Sequence, residues 1–447
     1  MGTDQERQLR SEIVKRMVIY QINLRVFTPE GTLAAAEKFL PEVAETGADM
    51  VYLCPIAESD PDSDPAHWSI RQKRSLCSNP RNPYRIGDFF RIDPEYGTET
   101  ELRSFVRTAH GLNLKVMLDL VYMHAGPSFW KRYPDFVRRN ESGQVKLTQY
   151  HFCELDFHVP ALREYLWSNM EYWVREFDVD GYRCDVGGMV PLDFWVKGRQ
   201  RVEKFKKPFI MLDECEIQNR PADQDEAFDI NYCQWWTQLS FREIFLCGMP
   251  AVALETAWTE AENARLDAVV IRALEHHDTA NDMYHFRMEK ISSAKCEAAY
   301  VLCYTVNGVP FLYNGCEHCD TSRHSIFGNP GQFVIDRSKD PAGRSAFLRR
   351  LAELHRTESA LRDGSMQWLP NTVPEELCTY LRTAPDGEKI FCAVNFGNET
   401  ISAAWPESVL EAANGRILLK RDAVSSADHF ELSADGFLVV KMPRTKE

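Results

Sequence analysis

Short apolar runs alternate along this chain with longer amphipathic ones. Residues 17–24 (MVIYQINL), 48–56 (ADMVYLCPI) and 112–124 (LNLKVMLDLVYMH) are dense in aliphatic and aromatic side chains, which predicts strands. The third is dense in aliphatics, as a strand covered on both faces should be. Between them, 32–47 and 98–111 read as helices, the second opening on a capping threonine and closing on glycine. The alternation continues with a helix over 159–177, a strand over 179–186 and a helix over 191–205. Strands follow over 208–214 and 226–230, helical text over 233–246, a strand over 267–278, a helix over 293–306, a strand over 309–313 and a closing helix over 343–357. Eight strands alternating with helices predict an α/β chain whose residues 1–360 form a (β/α)8 TIM barrel. An irregular insertion, about 124–158, interrupts the pattern after the third strand. From 361 to 447 the text changes to short alternating strands such as KIFCAVNF and GFLVVKM, a small C-terminal antiparallel β domain.

Composition narrows the partners. The 447 residues are 44% hydrophobic and 26% charged, with a net charge of −14 from 52 basic and 66 acidic side chains. That balance argues against nucleic acid or an anionic membrane surface, and it is compatible with a neutral small-molecule substrate. No apolar run has the length of a membrane span, and the charged start MGTDQERQLRSEIVKRM lacks the apolar core of a signal peptide. Glu6 stands where a myristoylation signal wants Ser or Thr. Thirteen cysteines, mostly inside apolar segments, read as reduced core thiols, so a cytoplasmic location is expected. The lone C-x-x-C pair, Cys316 and Cys319, lacks the second pair of a zinc site, and no metal is expected there. The pattern sets no oligomeric state.

In a (β/α)8 barrel the chemistry sits at the C-terminal ends of the strands. There stand Asp119 and His124 after strand three, Arg183 and Asp185 in strand four, Asp213, Glu214 and Glu216 at strand five, and His276, His277 and Asp278 at strand seven. Tyr84 and Asp88 lie in the segment NPYRIGDFF after strand two. Asp119 alone reads as a helix cap or loop anchor. Arg183 and Asp185, two apart on a strand, share one face. The cation lowers the pKa expected for Asp185, whereas Glu214, following FIML, is expected to be raised by partial burial and neighbouring carboxylates. Two carboxyls pushed in opposite directions, without a Ser or Cys nucleophile constellation, fit cleavage of an acetal.

At these residues the sequence resembles the α-amylase family of glycoside hydrolases, over nearly the whole chain from IYQINLRVFTPEGT to FCAVNF. The resemblance implies a barrel with a protruding segment after strand three and a C-terminal antiparallel β-sandwich. DLVYMH is similar to the strand-three motif and implies a sugar-binding role for His124. GYRCDV implies Asp185 as nucleophile with Arg183 as its partner, and MLDE implies Glu214 as general acid/base, with Glu216 the rival. EHHD implies that His277 and Asp278 grip hydroxyls of the sugar whose bond is cut, and NPYRIGDFF that Tyr84 stacks on that sugar. GVPFLYNGCE resembles the strand-eight signature. Family members often place an Asn calcium ligand where Met123 stands, an arginine where Asn281 stands and an alanine where Gly187 stands. Calcium is therefore not expected, nor any other cofactor. The expected activity is retaining hydrolysis of α-glucosides or short malto-oligosaccharides, with Asp185, Glu214 and Asp278 catalytic. A transglycosylase or sugar isomerase on the same scaffold is the alternative, and a non-catalytic sugar-binding or scaffold protein the alternative of another class.

Overall fold

Eight short parallel strands carry the structure: β1 Ile19–Ile22, β2 Met50–Leu53, β3 Lys115–Leu120, β4 Gly181–Cys184, β5 Ile210–Glu216, β6 Ile230–Tyr232, β7 Ile271–Ala273 and β8 Val309–Tyr313. A computed structural model describes residues 4–216, 225–232, 236, 241–264, 269–280, 287–339 and 343–444. The strand order is β6-β5-β4-β3-β2-β1-β8-β7. A parallel bridge between Asn231 and Val270 joins the two ends of that order. The sheet is thus a closed barrel, as the alternation predicts.

Period-two alternation sorts the side chains of each strand. Ile19, Tyr52, Met117, Leu212 and Phe311 pack together in one buried cluster, joined by Val14 and Met17 from just before β1. Their sequence neighbours Tyr20, Val51, Leu118, Tyr182 and Met211 belong to the larger cluster that includes the surrounding helices. Residues sharing the parity of the first set, among them Asp119, Arg183 and Glu214, are thereby carried toward the barrel axis and its rim.

The helix Glu99–Gly111 opens with a full capping box between Thr98 and Glu101. Helices Pro160–Phe177, Leu192–Val202, Ser293–Thr305 and Arg344–Thr357 also lie where the pattern puts them. The helix read over 32–47 is two pieces, Leu33–Glu37 and Leu40–Glu45, because Pro41 has no N–H to give the preceding turn. The sixth strand lies slightly later than the apolar run 226–230, at Ile230–Tyr232, where Ile230 pairs with Leu212. Helix Val252–Ala264 was not foreseen, since its alanines, threonines and glutamates draw no clear apolar stripe.

After the barrel come β9 Ser365–Trp368, β10 Leu377–Thr383, β11 Lys389–Asn395, β12 Ile401–Ala404, β13 Arg416–Ser425 and β14 His429–Lys441. They form one antiparallel six-stranded sheet in which β14 pairs with β11, β12 and β13. Leu377, Phe391, Leu438 and Val440 face a separate apolar cluster. Cys378, Tyr380, Cys392 and Val439 on the other face join the barrel's own core. No helix among the described residues is long and apolar enough to cross a membrane.

Candidate active site

Arg183 is fully buried, and its guanidinium meets three carboxylates. Nη1 donates to Asp119 at 2.8 and 3.0 Å and to Asp185 Oδ1 at 2.8 Å. Nη2 lies 2.7 Å from Glu214 Oε2. Asp185 and Glu214 also share a side-chain hydrogen bond. Such contact excludes the wide spacing of roughly 6.5–9.5 Å that leaves room for a water between two carboxyls. The N–H of Val186 donates to Glu214 Oε2 at 2.8 Å from a left-handed backbone, φ 39°. A β-branched residue rarely takes that conformation, so the turn after Asp185 is strained where it meets Glu214.

The two carboxyls differ in proton affinity. Burial pushes Glu214 up to about 8, with Asp185 and Asp278 adding to the rise against the pull of Arg183. Asp185 moves opposite to the sequence expectation: burial raises it to about 6, more than Arg183 lowers it, and Asp119 adds to the rise. The adjacent cation does not outweigh the loss of water. The order of the pair is nevertheless the expected one, with Asp185 the more acidic member.

A cleft of about 510 Å³ opens over these groups, lined among others by Tyr84, His124, His277 and Asp278. His277 is held by Gln21, whose Oε1 accepts the backbone N–H of His277 at 2.9 Å and whose Nε2 lies 2.8 Å from the ring Nδ1. Its Nε2 is 2.8 Å from the Tyr84 hydroxyl, and the two rings stack at 5.6 Å and 10°. Burial opposes the charge of Asp278, but His277, Arg71 and His276 overcome it and hold the carboxyl well below the ordinary range. His124 Nε2 is 2.9 Å from the carbonyl of Tyr84, and its buried Nδ1 has no hydrogen-bond partner. Burial brings His124 down to about 4, so the ring is neutral at pH 7.

All seven residues singled out as catalytic or substrate-binding therefore meet at one place. Asp119 does not serve as a cap. It accepts from Tyr52 at 2.6 Å, Tyr84 at 3.1 Å and Arg183, and so anchors the arginine from inside the barrel. Asp88 pairs with Arg132 at 2.8 Å, and it is absent from the cleft lining. The side chain of Glu216 and the whole of Asn281 lie outside the described residues. Sequence reasoning missed Arg71, Gln21, Tyr150 and Phe152. Arg71 donates to Asp278 Oδ1 at 2.6 Å across 207 positions of chain, a separation that no local pattern signals.

The sequence profile of the α-amylase catalytic domain matches residues 28–153. A cyclomaltodextrinase from Bacillus sp is 25% identical over 349 residues, 70% of this chain and 59% of that protein. A maltogenic α-amylase from Bacillus acidopullulyticus is 24% identical over 75% of this chain and 63% of its own length. The chain thus spans about three-fifths of the length of these relatives. The crystal structure of a maltogenic α-amylase from Thermotoga neapolitana superposes with a TM-score of 0.79 at 24% identity, covering 96% of this chain and 99% of that one. That of an α-amylase from Lactobacillus plantarum gives 0.79 at 21% identity over 97% and 100%. Residues 28–153 thus match the α-amylase catalytic domain, and the whole chain shares the fold of solved α-amylases.

Two departures from the α-amylase family pattern have physical causes here. A Cβ on Gly187 would stand 2.2 Å from Asp213 Oδ1, so the alanine common at that position has no room. Met123 brings a thioether where the resemblance implies an amide oxygen, and the nearby carboxylates and amide have other partners. Glu154 is paired with Arg138 and Lys146, Asp156 accepts the N–H of His158, and Asn140 accepts those of Ser142 and Gln144. Asp135 and Glu141 are exposed. Among the described residues, the one cluster of three potential metal donors is His276, His277 and Asp278, which belongs to the cleft and its support.

Gly187→Ala tests the close approach to Asp213. Overpacking a buried position costs about 1–3 kcal/mol, which a lowered melting temperature will register. A variant melting with the parent chain would show that Asp213 moves aside freely.

Proposed function

We propose that the protein is a retaining α-glycoside hydrolase acting on α-glucosides or short malto-oligosaccharides. The observation that carries the reading is one guanidinium holding two mutually bonded carboxyls, Asp185 at about 6 and Glu214 at about 8. At neutral pH the first is ionised and the second protonated, which is the division of labour that double displacement requires. Asp185 attacks the anomeric carbon while Glu214 passes its proton to the glycosidic oxygen, and the alcohol leaves. The ionised Glu214 then takes a proton from water, whose oxygen displaces Asp185 from the anomeric carbon. Both residues end in their starting protonation states.

Asp278, kept anionic by Arg71, and neutral His277 and His124 supply hydrogen-bonding groups for the sugar hydroxyls. The orphaned Nδ1 of His124 gains a partner when sugar fills the cleft. The cyclomaltodextrinase and maltogenic amylase names of the relatives support an α-glucan substrate. One relative is an intracellular maltogenic amylase of Bacillus subtilis, 24% identical over 66% of this chain, which supports action inside the cell. The donor set of the insertion supports catalysis without calcium.

Three outcomes follow from this reading. On an active α-glucoside, kcat/KM rises as pH passes about 6 and Asp185 ionises, then falls as pH passes about 8 and Glu214 loses its proton. A rate flat from pH 5 to 9 would refute these roles. Asp185→Asn removes the nucleophile and lowers kcat by on the order of 10,000-fold, with circular dichroism unchanged. Retention of near-parental turnover would reassign the attacking group. Chelator treatment followed by dialysis leaves activity and melting temperature unaltered, and recovery of lost activity on adding calcium alone would contradict the donor analysis.

A further inference from the structure

Arg71 stands on a short helix, Ile70–Arg74, in the loop after β2, and Asp278 follows β7. In the barrel order these two strands are separated by β1 and β8. The 2.6 Å ion pair therefore spans a sector of the rim, from one wall of the cleft to another. The loop after β8 fills the same sector. Its Ile326 and Phe327 pack on Cys77 of the loop after β2. Further bonds join the two loops: Arg323 to the carbonyl of Ser75 at 2.7 Å, Asn79 to that of Gly328 at 3.2 Å, and Arg25 to those of Arg81 and Ile326 at 3.1 and 2.5 Å. Arg85, itself buried, gathers the carbonyls of His67 and Pro80 at 3.2 and 3.1 Å and also contacts that of Asp62. The wall bearing Arg71 is braced at many points.

The scissile bond lies between Asp185 and Glu214, at the ends of β4 and β5, and the leaving group departs past Glu214. On that mechanism the attacked sugar sits against His277, Asp278 and Arg71, which line the same cleft as the two carboxyls. A chain continuing past these groups would have to displace the Arg71–Asp278 pair, with Ile326 and Phe327 lining the cleft beside it. The Nε of Arg71 is buried without a hydrogen-bond partner, although the residue lines the cleft. A donor left so is completed by an acceptor in the cleft, and a terminal sugar hydroxyl supplies one.

We infer that Arg71 determines specificity by closing the glycone end of the cleft, so that the protein removes one sugar at a time from free non-reducing ends. This rests on the hydrolase reading and deepens it. The substrate class becomes linear α-glucosides, and rings without a non-reducing end are excluded.

The test compares maltotriose and cyclomaltoheptaose as substrates of the full chain, with products resolved by chromatography, for the parent, Arg71→Ala and Arg71→Lys. With maltotriose labelled at its reducing end, the parent is expected to release unlabelled glucose and labelled maltose, and to leave the ring intact. Arg71→Ala raises ring opening relative to maltotriose cleavage by at least about tenfold, the scale on which one pocket contact discriminates. Arg71→Lys, which keeps the charge but loses the Nε–H donor and some reach, falls between the parent and Arg71→Ala. A parent that opens the ring nearly as fast as it cleaves maltotriose overturns the inference while leaving the hydrolase reading intact. So does an Arg71→Ala variant that folds and keeps the parental pattern. Failure to cleave any α-glucoside, linear or cyclic, removes both. The parent's own products decide the matter should Arg71→Ala not fold.

Discussion

Everything at the working end of this barrel depends on the buried guanidinium of Arg183 and the three carboxylates around it. One positive charge cannot balance three negative ones out of water. Two like charges about 4 Å apart repel by about 4 kcal/mol at an effective dielectric of 20, equivalent to roughly three pH units. The cluster relieves that cost by keeping a proton. Glu214 holds it, because Asp119 and Asp185 take the bonds to Nη1 while Glu214 meets Nη2 at the cleft side and faces Asp278 as well. Burial, with the charges of Asp185 and Asp278 added to it, thus makes Glu214 the carboxyl that keeps its proton.

The same economy of charge recurs in the loops. Arg25 and Arg85 are buried among backbone carbonyls, and Arg287 is buried against Glu275 and Asp320. Each donates several bonds from a fixed planar fork, so it can organise an irregular segment much as a bound cation would. Glu275 directly precedes the His276–His277–Asp278 run, and Asp320 begins the segment that leads to Ile326 and Phe327. Arg287 therefore ties the floor under the histidines to one wall of the cleft. Fixed walls matter because the polar groups that line the cleft must be in place before a ligand arrives.

Much of this was legible in the sequence, for a local reason. Strand and helix periods reflect backbone geometry within a few residues, so the eight barrel strands and the capped helix at 99–111 could be read from neighbours alone. A two-residue offset on a strand likewise commits Arg183 and Asp185 to one face, and the strand-end positions bring His277, Asp278 and Glu214 to one rim. The break at Pro41 was visible as a residue, although its effect was passed over.

Only the tertiary structure decided the rest. Asp119 reads locally as a cap, and it becomes an anchor because Tyr52, Tyr84 and Arg183 converge on it from three separate segments. Asp185 carries an arginine beside it in sequence, yet burial, which no local pattern measures, pushes it upward instead of downward. Gly187 is small because Asp213 of the neighbouring strand occupies the space a methyl group would need. Arg71 finds Asp278 across 207 residues of chain. Local dihedral preferences set the elements, while desolvation and long-range contact, which exist only in the folded chain, set the proton affinities and the shape of the cleft.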